Sequence, residues 1–511
     1  MATASRPEPA NGSHSTAVEL QRAGVRAEGP GERLRSRILE RLAASKTAGQ
    51  DRSTAFASLF PHTVLPSAAY EDLVAALLSG AHALFFGPSG AGKTSLARDV
   101  WELFPKDAWV VEACPVLDHP LSLIDAATSE RFPPCPICRR RFAPGHDPAR
   151  FDTAAVDGAQ VTAERVRLRE GFGFARLQGS SEVFPDHLTG NINLRRLEEI
   201  GDPMSPLVLE PGKLLQANRG LLLVDEIGKL PLGTQNVLLQ ALQEGTVTPA
   251  KTRESFPAEF VAVCTSNLSD LDNINDPLSD RLTSLHITYN RHHADNRRIV
   301  AVGRSGNPRG YVPEVLLDAG IRIVEAWRLR NSDDNPDIGE VGSNRTMIDV
   351  AGRTSAIALL EGRAVPIHAD LRSGLLHAMR GRIRARSGES FQQNERRITE
   401  FIDQHLEPAL KRSAGIYWCR FFRGPLQENS AAGQATVSEG RRLRDDPQLT
   451  DQLRGSTDLF AQFRKFVQWV DTSERPPEVI GSVTAALAEF RLLEEFSLFA
   501  CPEDSDDDAP L

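Results

Sequence analysis

Hydrophobic and polar positions alternate along this chain in recognisable periods. Between Glu32 and Ser45 apolar residues fall at Leu34, Ile38, Leu39 and Leu42, with arginines between them, and that spacing predicts a helix. A second amphipathic helix is predicted from Tyr70 to Leu78, ended by Gly80. Ala83-Leu-Phe-Phe86 then reads as a short buried strand running into Gly87. From Gly220 the pattern sharpens. Leu221-Leu-Leu-Val224 is an apolar strand, Thr234 to Glu244 a helix stopped by Gly245, and Phe260-Val-Ala-Val-Cys264 another buried strand. Strands alternating with helices predict an α/β fold with a parallel sheet. Trp109-Val-Val-Glu112 reads as a further strand of that sheet, whereas residues 105–180 are otherwise irregular, with clustered Pro, Cys, Arg and Gly. Beyond about residue 310 strand signals fade and helices such as Thr346–Leu360 dominate.

Composition narrows the class. The chain has 511 residues, enough for two or three domains. Its net charge of -9 offers no global attraction to nucleic acid or acidic membranes. No apolar run is long enough to cross a bilayer, and the Ala-, Ser- and Pro-rich start lacks the pattern of a signal peptide. Six cysteines are too sparse for a disulfide scaffold, so a cytoplasmic location is expected. The expected organisation is a flexible tail with one short helix over 1–50, a nucleotide-binding α/β domain over 51–300 carrying an inserted segment at 115–180, a helical lid over 301–385, a further helical region over 386–500 and an acidic tail over 501–511.

Gly87-Pro-Ser-Gly-Ala-Gly-Lys-Thr94 matches the phosphate-binding pattern G-x-x-x-x-G-K-[ST] at every fixed position. Glycines let the backbone curl so that its N–H groups face phosphate oxygens. Lys93 supplies positive charge to the β- and γ-phosphates, the Thr94 hydroxyl is placed to bind Mg²⁺, and the helix that begins here, running through Leu96 and Val100, adds its N-terminal dipole. The strand before and the helix after argue against a chance glycine-rich turn. Gly87, Pro88, Ser89, Gly90, Ala91, Gly92, Lys93, Thr94 and Ser95, with Asp225, are the expected ATP-binding set. Asp225 and Glu226 close the strand Leu221–Val224. Asp225 is expected to hold the magnesium through water, and Glu226 to polarise the attacking water as general base. An acidic strand end alone would be read as a buried strand reaching the surface; paired with the phosphate loop it completes an Mg-ATP site. Asn267, after the next strand, could position the water or merely cap a turn. Arg281 could reach a neighbouring subunit's γ-phosphate or form a surface ion pair.

At these residues the sequence resembles the AAA+ ATPases, and among them the magnesium chelatase motor subunit and MoxR-type ATPases of the helix-2-insert clade. Phe60-Pro61 ahead of the loop, Leu188-Thr-Gly-Asn-Ile-Asn-Leu194, the stretch Leu209-Glu-Pro-Gly to Val224-Asp-Glu226, Val341-Gly-Ser-Asn-Arg345 and Leu360-Glu-Gly-Arg363 carry the likeness, over roughly residues 58–385. The resemblance implies a P-loop AAA+ parallel-sheet domain followed by an α-helical lid and a further helical region. It implies that Asn267 is the sensor-1 residue, Arg281 the arginine finger and Arg345 the sensor-2 arginine on the lid helix. It further implies a hexameric ring, ATP hydrolysis that remodels or loads a protein partner, such a partner often bearing a von Willebrand A domain, and a helix-and-hairpin insert within Leu188–Arg219. Residues 390–511 have no counterpart in the short motor subunit. A nucleic-acid motor is the alternative, opposed by the absence of a basic or aromatic platform. A non-hydrolysing switch or scaffold is opposed by the presence of Glu226, Asn267 and Arg281 together.

Cys135-Pro-Ile-Cys138 precedes three arginines, Arg139 to Arg141, with Cys114 upstream and His119 and His146 nearby. Two thiolates on a knuckle, with Cys114 and His146, could complete a zinc site. A reduced loop pair and a redox pair with arginine-lowered thiol pKa values are the other readings. Cys264, inside a buried strand, reads as a small core residue.

Overall fold

The structure, a computed structural model, describes residues 14–305, 312–330, 342–362 and 366–422, with interruptions at 250–251, 253, 381, 384–387 and 389. The chain separates into two compact units. One runs up to Pro88 and resumes over Gly92–Thr288; the other takes Ser89–Ala91 and continues from Tyr289.

The first unit is built on a parallel sheet. Its five main strands are β1 (His82–Gly87), β2 (Gly173–Gln178), β3 (Gly220–Asp225), β4 (Phe260–Asn267) and β5 (Leu282–His286). They lie in the order β5-β1-β4-β3-β2, with a two-residue strand at Arg169–Glu170 beyond β2. Every residue of β3 is buried, as expected of a strand covered on both faces. Register then fixes the chemistry at one edge: Gly87 lies opposite Asn267, and Gln178 opposite Asp225. All four therefore stand at the C-terminal ends of their strands, where open parallel sheets place their ligands.

The predicted elements here form nearly as read. The helix over Glu32–Ser45 is Pro30–Thr47, that over Tyr70–Leu78 is Ser67–Leu78, and that over Thr234–Glu244 is Leu232–Glu244, capped by Gly245 in the left-handed region. Three expectations are corrected. Residues 14–50 are not a tail with one helix: His14–Thr16 pairs with Thr162–Glu164, and Ala17–Arg22 forms a helix with Ala17 and Leu20 buried. Asp107–Val111 is a strand, but it pairs antiparallel with Thr162–Arg167 in a separate three-stranded sheet. And residues 105–180 are not irregular at their end, since they supply β2 to the main sheet. Within Leu188–Arg219, where the resemblance places an insert, Gly190–Ile192 pairs antiparallel with Leu209–Pro211 and the helix Leu194–Ile200 lies between them in sequence.

The second unit is helical among the described residues: His293–Ser305, Glu314–Arg330, Asn344–Leu360, His368–Met379 and Phe391–Phe422. Trp327, Met347, Leu375 and Phe401 share its core, and Trp327 meets Phe401 edge to face with ring centres 4.7 Å apart. Helix Phe391–Phe422 thus packs into the same core as the helices before it, so no packing boundary falls at 385, and the unit begins at Tyr289 rather than at 301. Val341, Arg363 and the acidic tail over 501–511 lie outside the described residues. No helix among the described residues is long and apolar enough to cross a membrane.

Buried in this unit, His293 bonds Asp318 through Nε2 at 2.5 Å and Glu325 through Nδ1 at 2.9 Å, with Arg297 and Arg322 also on Asp318. Burial alone would lower the imidazole pKa. The bonds and charges of Asp318 and Glu325 outweigh it and push the value up to about 9. A raised folded-state value means the contribution is whole below the unfolded imidazole value, about 6.5. It is then lost as pH rises through about 9. Hydrogen exchange of helix Glu314–Arg330, corrected for intrinsic rates, is expected to lose protection across that window by roughly 3 kcal/mol at most. Unchanged protection across it would show that His293 is not held as the cation.

Candidate functional site

The phosphate loop leaves β1 at Gly87, whose φ is +151°; a Cβ there would stand 2.0 Å from the Ile287 carbonyl oxygen, so only glycine fits. Gly92, at φ +105°, turns the chain into the helix Lys93–Leu103. That helix exists because Leu96, Ala97, Val100 and Leu103 bury one face, and its first turn aims free N–H groups at the loop. Lys93 is buried. Its ammonium donates to the Gly87 carbonyl at 2.9 Å, the Pro88 carbonyl at 2.8 Å and Asn267 Oδ1 at 3.1 Å. Ser95 is exposed on the same first turn.

The Thr94 hydroxyl donates to Asp225 Oδ1 at 3.0 Å and lies 3.3 Å from Oδ2. Asp225 also receives the Thr265 hydroxyl at 2.5 Å and the Arg176 guanidinium at 3.1 Å. Glu226 sits in the left-handed region at φ +56°, held there by its own N–H on Thr265 Oγ1 at 3.0 Å. Such a conformation is costly for a residue with a side chain and turns the carboxylate out of the strand's line. Gln178 Nε2 at 2.9 Å and Lys229 Nζ at 3.0 Å hold one carboxylate oxygen, and Asn267 Nδ2 lies 3.5 Å from the other.

Of the residues expected at the site, Gly87, Pro88, Lys93, Thr94, Asp225, Glu226 and Asn267 are thus brought together. Arg281 is exposed on the turn before β5, apart from this network. Arg345 is exposed on the first turn of Asn344–Leu360 in the second unit, where its Cγ is 3.9 Å from a Cβ built on Gly90. Within that unit Ser89 accepts the Tyr289 hydroxyl at 2.5 Å and Ala91 the Asn344 amide at 3.4 Å. Arg176, Gln178, Lys229 and Thr265 were not foreseen. The signal for the first two was present, a period-two alternation through Phe174-Ala-Arg-Leu-Gln178, but its polar members face the site and broke the apolar run.

Residues 81–302 match the family model of the PrkA AAA domain. Over these residues the chain is thus similar to an AAA+ domain. Among curated proteins, the serine/threonine kinase YeaG of Escherichia coli K12 is 26% identical over 226 residues, 40% of this chain and 34% of YeaG. An archaeal Lon protease of Halobacterium salinarum is 31% identical over 84 residues, 14% of this chain and 12% of that protein. The chain therefore spans about a third or less of the curated relatives it matches. A solved complex of magnesium chelatase subunits BchI and BchD is 21% identical, covering 61% of this chain and 93% of that one with a TM-score of 0.31.

Away from the loop and the Asp225–Glu226 strand end, the cysteines gather differently from expectation. Cys114, Cys135 and Cys138 do come together, but with Asp118, not His146: one donor atom from each of these four lies within 4.8 Å of the others. His146 stands on an exposed turn and is not a member of the cluster. His119 is buried with Nδ1 accepting the Leu121 N–H at 3.1 Å; burial, with Arg219 and Arg33 near, drives its pKa down to about 2. Cys264 is a core residue of β4, and burial pushes its thiol up to about 12.

Proposed function

We propose that this chain hydrolyses ATP with Mg²⁺ at the β1–β4–β3 edge and, as a hexameric ring, uses the energy to remodel or load a protein partner. The observation that carries the reading is the meeting of Lys93, Thr94, Asp225, Glu226 and Asn267 at one end of the sheet. In the mechanism that follows, Lys93 and the loop N–H groups hold the β- and γ-phosphates. Thr94 and Asp225 would hold the metal, which when bound would supply charge neutralisation at the phosphate oxygens. Glu226 takes a proton from a water that Asn267 positions, the water oxygen bonds to the γ-phosphorus, and the bond to the β-bridging oxygen breaks to leave ADP. Arg281, free to project from its turn, serves the γ-phosphate of a neighbouring copy, and Arg345 serves as the sensor-2 arginine. The hairpin at 190–211 is the proposed meeting place for the partner, with Leu194 on its helix 72% exposed; a von Willebrand A protein remains the partner class implied by the resemblance.

Lys93→Ala tests the nucleotide half of the reading. Removing a charged donor is expected to cost about 1.5–3 kcal/mol in nucleotide binding, roughly a tenfold to hundredfold weakening. Titration calorimetry with Mg-ATP checks it, and wild-type affinity would remove Lys93 from the site. A second reading, phosphoryl transfer to a protein hydroxyl, is favoured by the match to a protein named a serine/threonine kinase. Labelled γ-phosphate ending in inorganic phosphate supports hydrolysis; label ending on serine or threonine supports transfer.

A further inference from the structure

The segment between Val111 and Thr162 contains only short helices and turns among its described residues. Fifty residues with so little regular structure have few backbone ladders to order them, and they are tied to the core through scattered apolar residues such as Val116, Leu123 and Val161. Yet at its start the fold collects three thiols and a carboxyl group: Cys114 and Asp118 from the turn after strand Asp107–Val111, Cys135 and Cys138 from the start of helix Pro136–Phe142. All four are nearly or wholly buried.

The geometry points to a structural zinc ion held by Cys114, Cys135, Cys138 and Asp118. Four donors around tetrahedral zinc, with sulfur at about 2.3 Å and oxygen at about 2.0–2.2 Å, stand about 3.5–3.8 Å from one another. Here Cys114 Sγ and Cys135 Sγ are 3.9 Å apart and no donor pair exceeds 4.8 Å, a spread that small side-chain rotations close onto one ion. Clusters of several irons need their ligands spread around the cluster and do not fit. Asp118 supplies the sharpest sign. Its Oδ2 accepts the Cys135 N–H at 2.8 Å, while Oδ1, equally buried, has no hydrogen-bond partner. A buried carboxylate oxygen without a partner is costly, and a cation beside it removes the cost.

The surroundings suit the same ion. The Asp118 N–H points at Cys114 Sγ at 3.3 Å and the Cys138 N–H at Cys135 Sγ at 3.4 Å, as donors do that stabilise metal-bound thiolates. Ala113 and Leu117 both adopt positive φ, at 62° and 64°, which folds Cys114 and Asp118 back toward each other. Such strain persists where the surroundings over-determine it. Three thiolates and a carboxylate around Zn²⁺ leave two negative charges, and the half-buried Arg219 guanidinium lies nearby, donating to the Trp109 carbonyl at 2.9 Å and the Leu117 carbonyl at 3.5 Å. Arg219 and Asn218, which donates to the Val116 carbonyl at 2.5 Å, immediately precede β3. The ion therefore pins the inserted segment to the N-terminal end of the strand whose other end carries Asp225 and Glu226. Its role is structural: all four protein ligands are present, with no position left for a reacting water.

The test uses the full chain, purified reduced and without added zinc, then measured by elemental analysis. The expected content is about one zinc per chain. Titrating the wild-type thiols with a mercurial in the presence of a zinc-binding dye should release that zinc as three thiols react. Asp118→Asn should weaken zinc retention against a chelator by at least about tenfold. His146→Ala should leave it unchanged. Because Cys135→Ser could unfold the insert, the wild-type titration stands independently of any variant. A reduced chain that takes up no zinc when supplied with it overturns the proposal. So does an intact mass two hydrogens light under native conditions, which would mark a disulfide. Asp118→Asn holding zinc as tightly as wild type, or His146→Ala losing it, overturns the ligand set.

Discussion

Glu226→Gln is expected to bind Mg-ATP with near wild-type affinity and to hydrolyse it at least about 100-fold more slowly. The substitution keeps the shape of the side chain and removes its basicity. The backbone bend that aims the group depends on the Glu226 N–H and the Thr265 hydroxyl, which the variant retains. Gln178 and Lys229 lose a charged acceptor, not a neighbour, since an amide oxygen still accepts from both. Binding relies on Lys93, Thr94 and the loop, none of which is changed. Calorimetry for binding and phosphate release for turnover separate the two effects. Wild-type turnover would mean that another group accepts the proton, while a parallel loss of binding would mean that Glu226 shapes the loop and has no acid–base role. The same variant, held in its ATP-bound form, should retain a partner in a pull-down.

Arg281→Ala is expected to lower turnover by about three orders of magnitude, in the range measured for arginine fingers, with nucleotide binding little altered. Arg281 is exposed, sits on the turn leading into β5 and is apart from the hydrogen-bonded network of its own site. An arginine so placed contributes to hydrolysis only if another copy brings a phosphate to it. This gives a test that a structural role does not pass. Lys93→Ala and Arg281→Ala chains are each impaired alone, but mixed rings pair an intact finger with an intact phosphate loop. Phosphate release should therefore rise on mixing above the sum of the two chains measured separately. Failure to recover any activity, in a mixture shown by light scattering to assemble, would remove Arg281 from the neighbouring site, and a chain monomeric under all nucleotide conditions would remove the ring.

What could be read from the residues follows a physical division. Strands β1, β3 and β4 were legible because both faces are buried and their side chains form unbroken apolar runs. The phosphate loop was legible because its glycines, lysine and threonine answer to backbone sterics and charge within eight residues. Strand β2 was not, because Arg176 and Gln178 are spent on Asp225 and Glu226 in place of packing. The strand at Asp107–Val111 was seen, but its sheet was not, because pairing with Thr162–Arg167 depends on contacts distant in sequence. Asp118 escaped for a similar reason. A single carboxylate four residues after Cys114 has no motif of its own, whereas His146 follows the cysteine pair closely in sequence yet is not a member of the cluster.

Lys93 leads to a last consequence. An ammonium group has three protons to donate, and here two loop carbonyls and the Asn267 amide oxygen are among its acceptors. If a nucleotide binds at Lys93 as proposed, its entry is an exchange reaction in which phosphate oxygens displace ligands that the protein already supplies. The net gain is a difference between two good sets of bonds, small for an anion that reaches Lys93 alone and large only for one that also engages the loop N–H groups and a metal at Thr94. On the proposed reading, the resting loop would favour a metal-bound triphosphate over free phosphate, and an Asn267 displaced from Lys93 would be left beside Glu226.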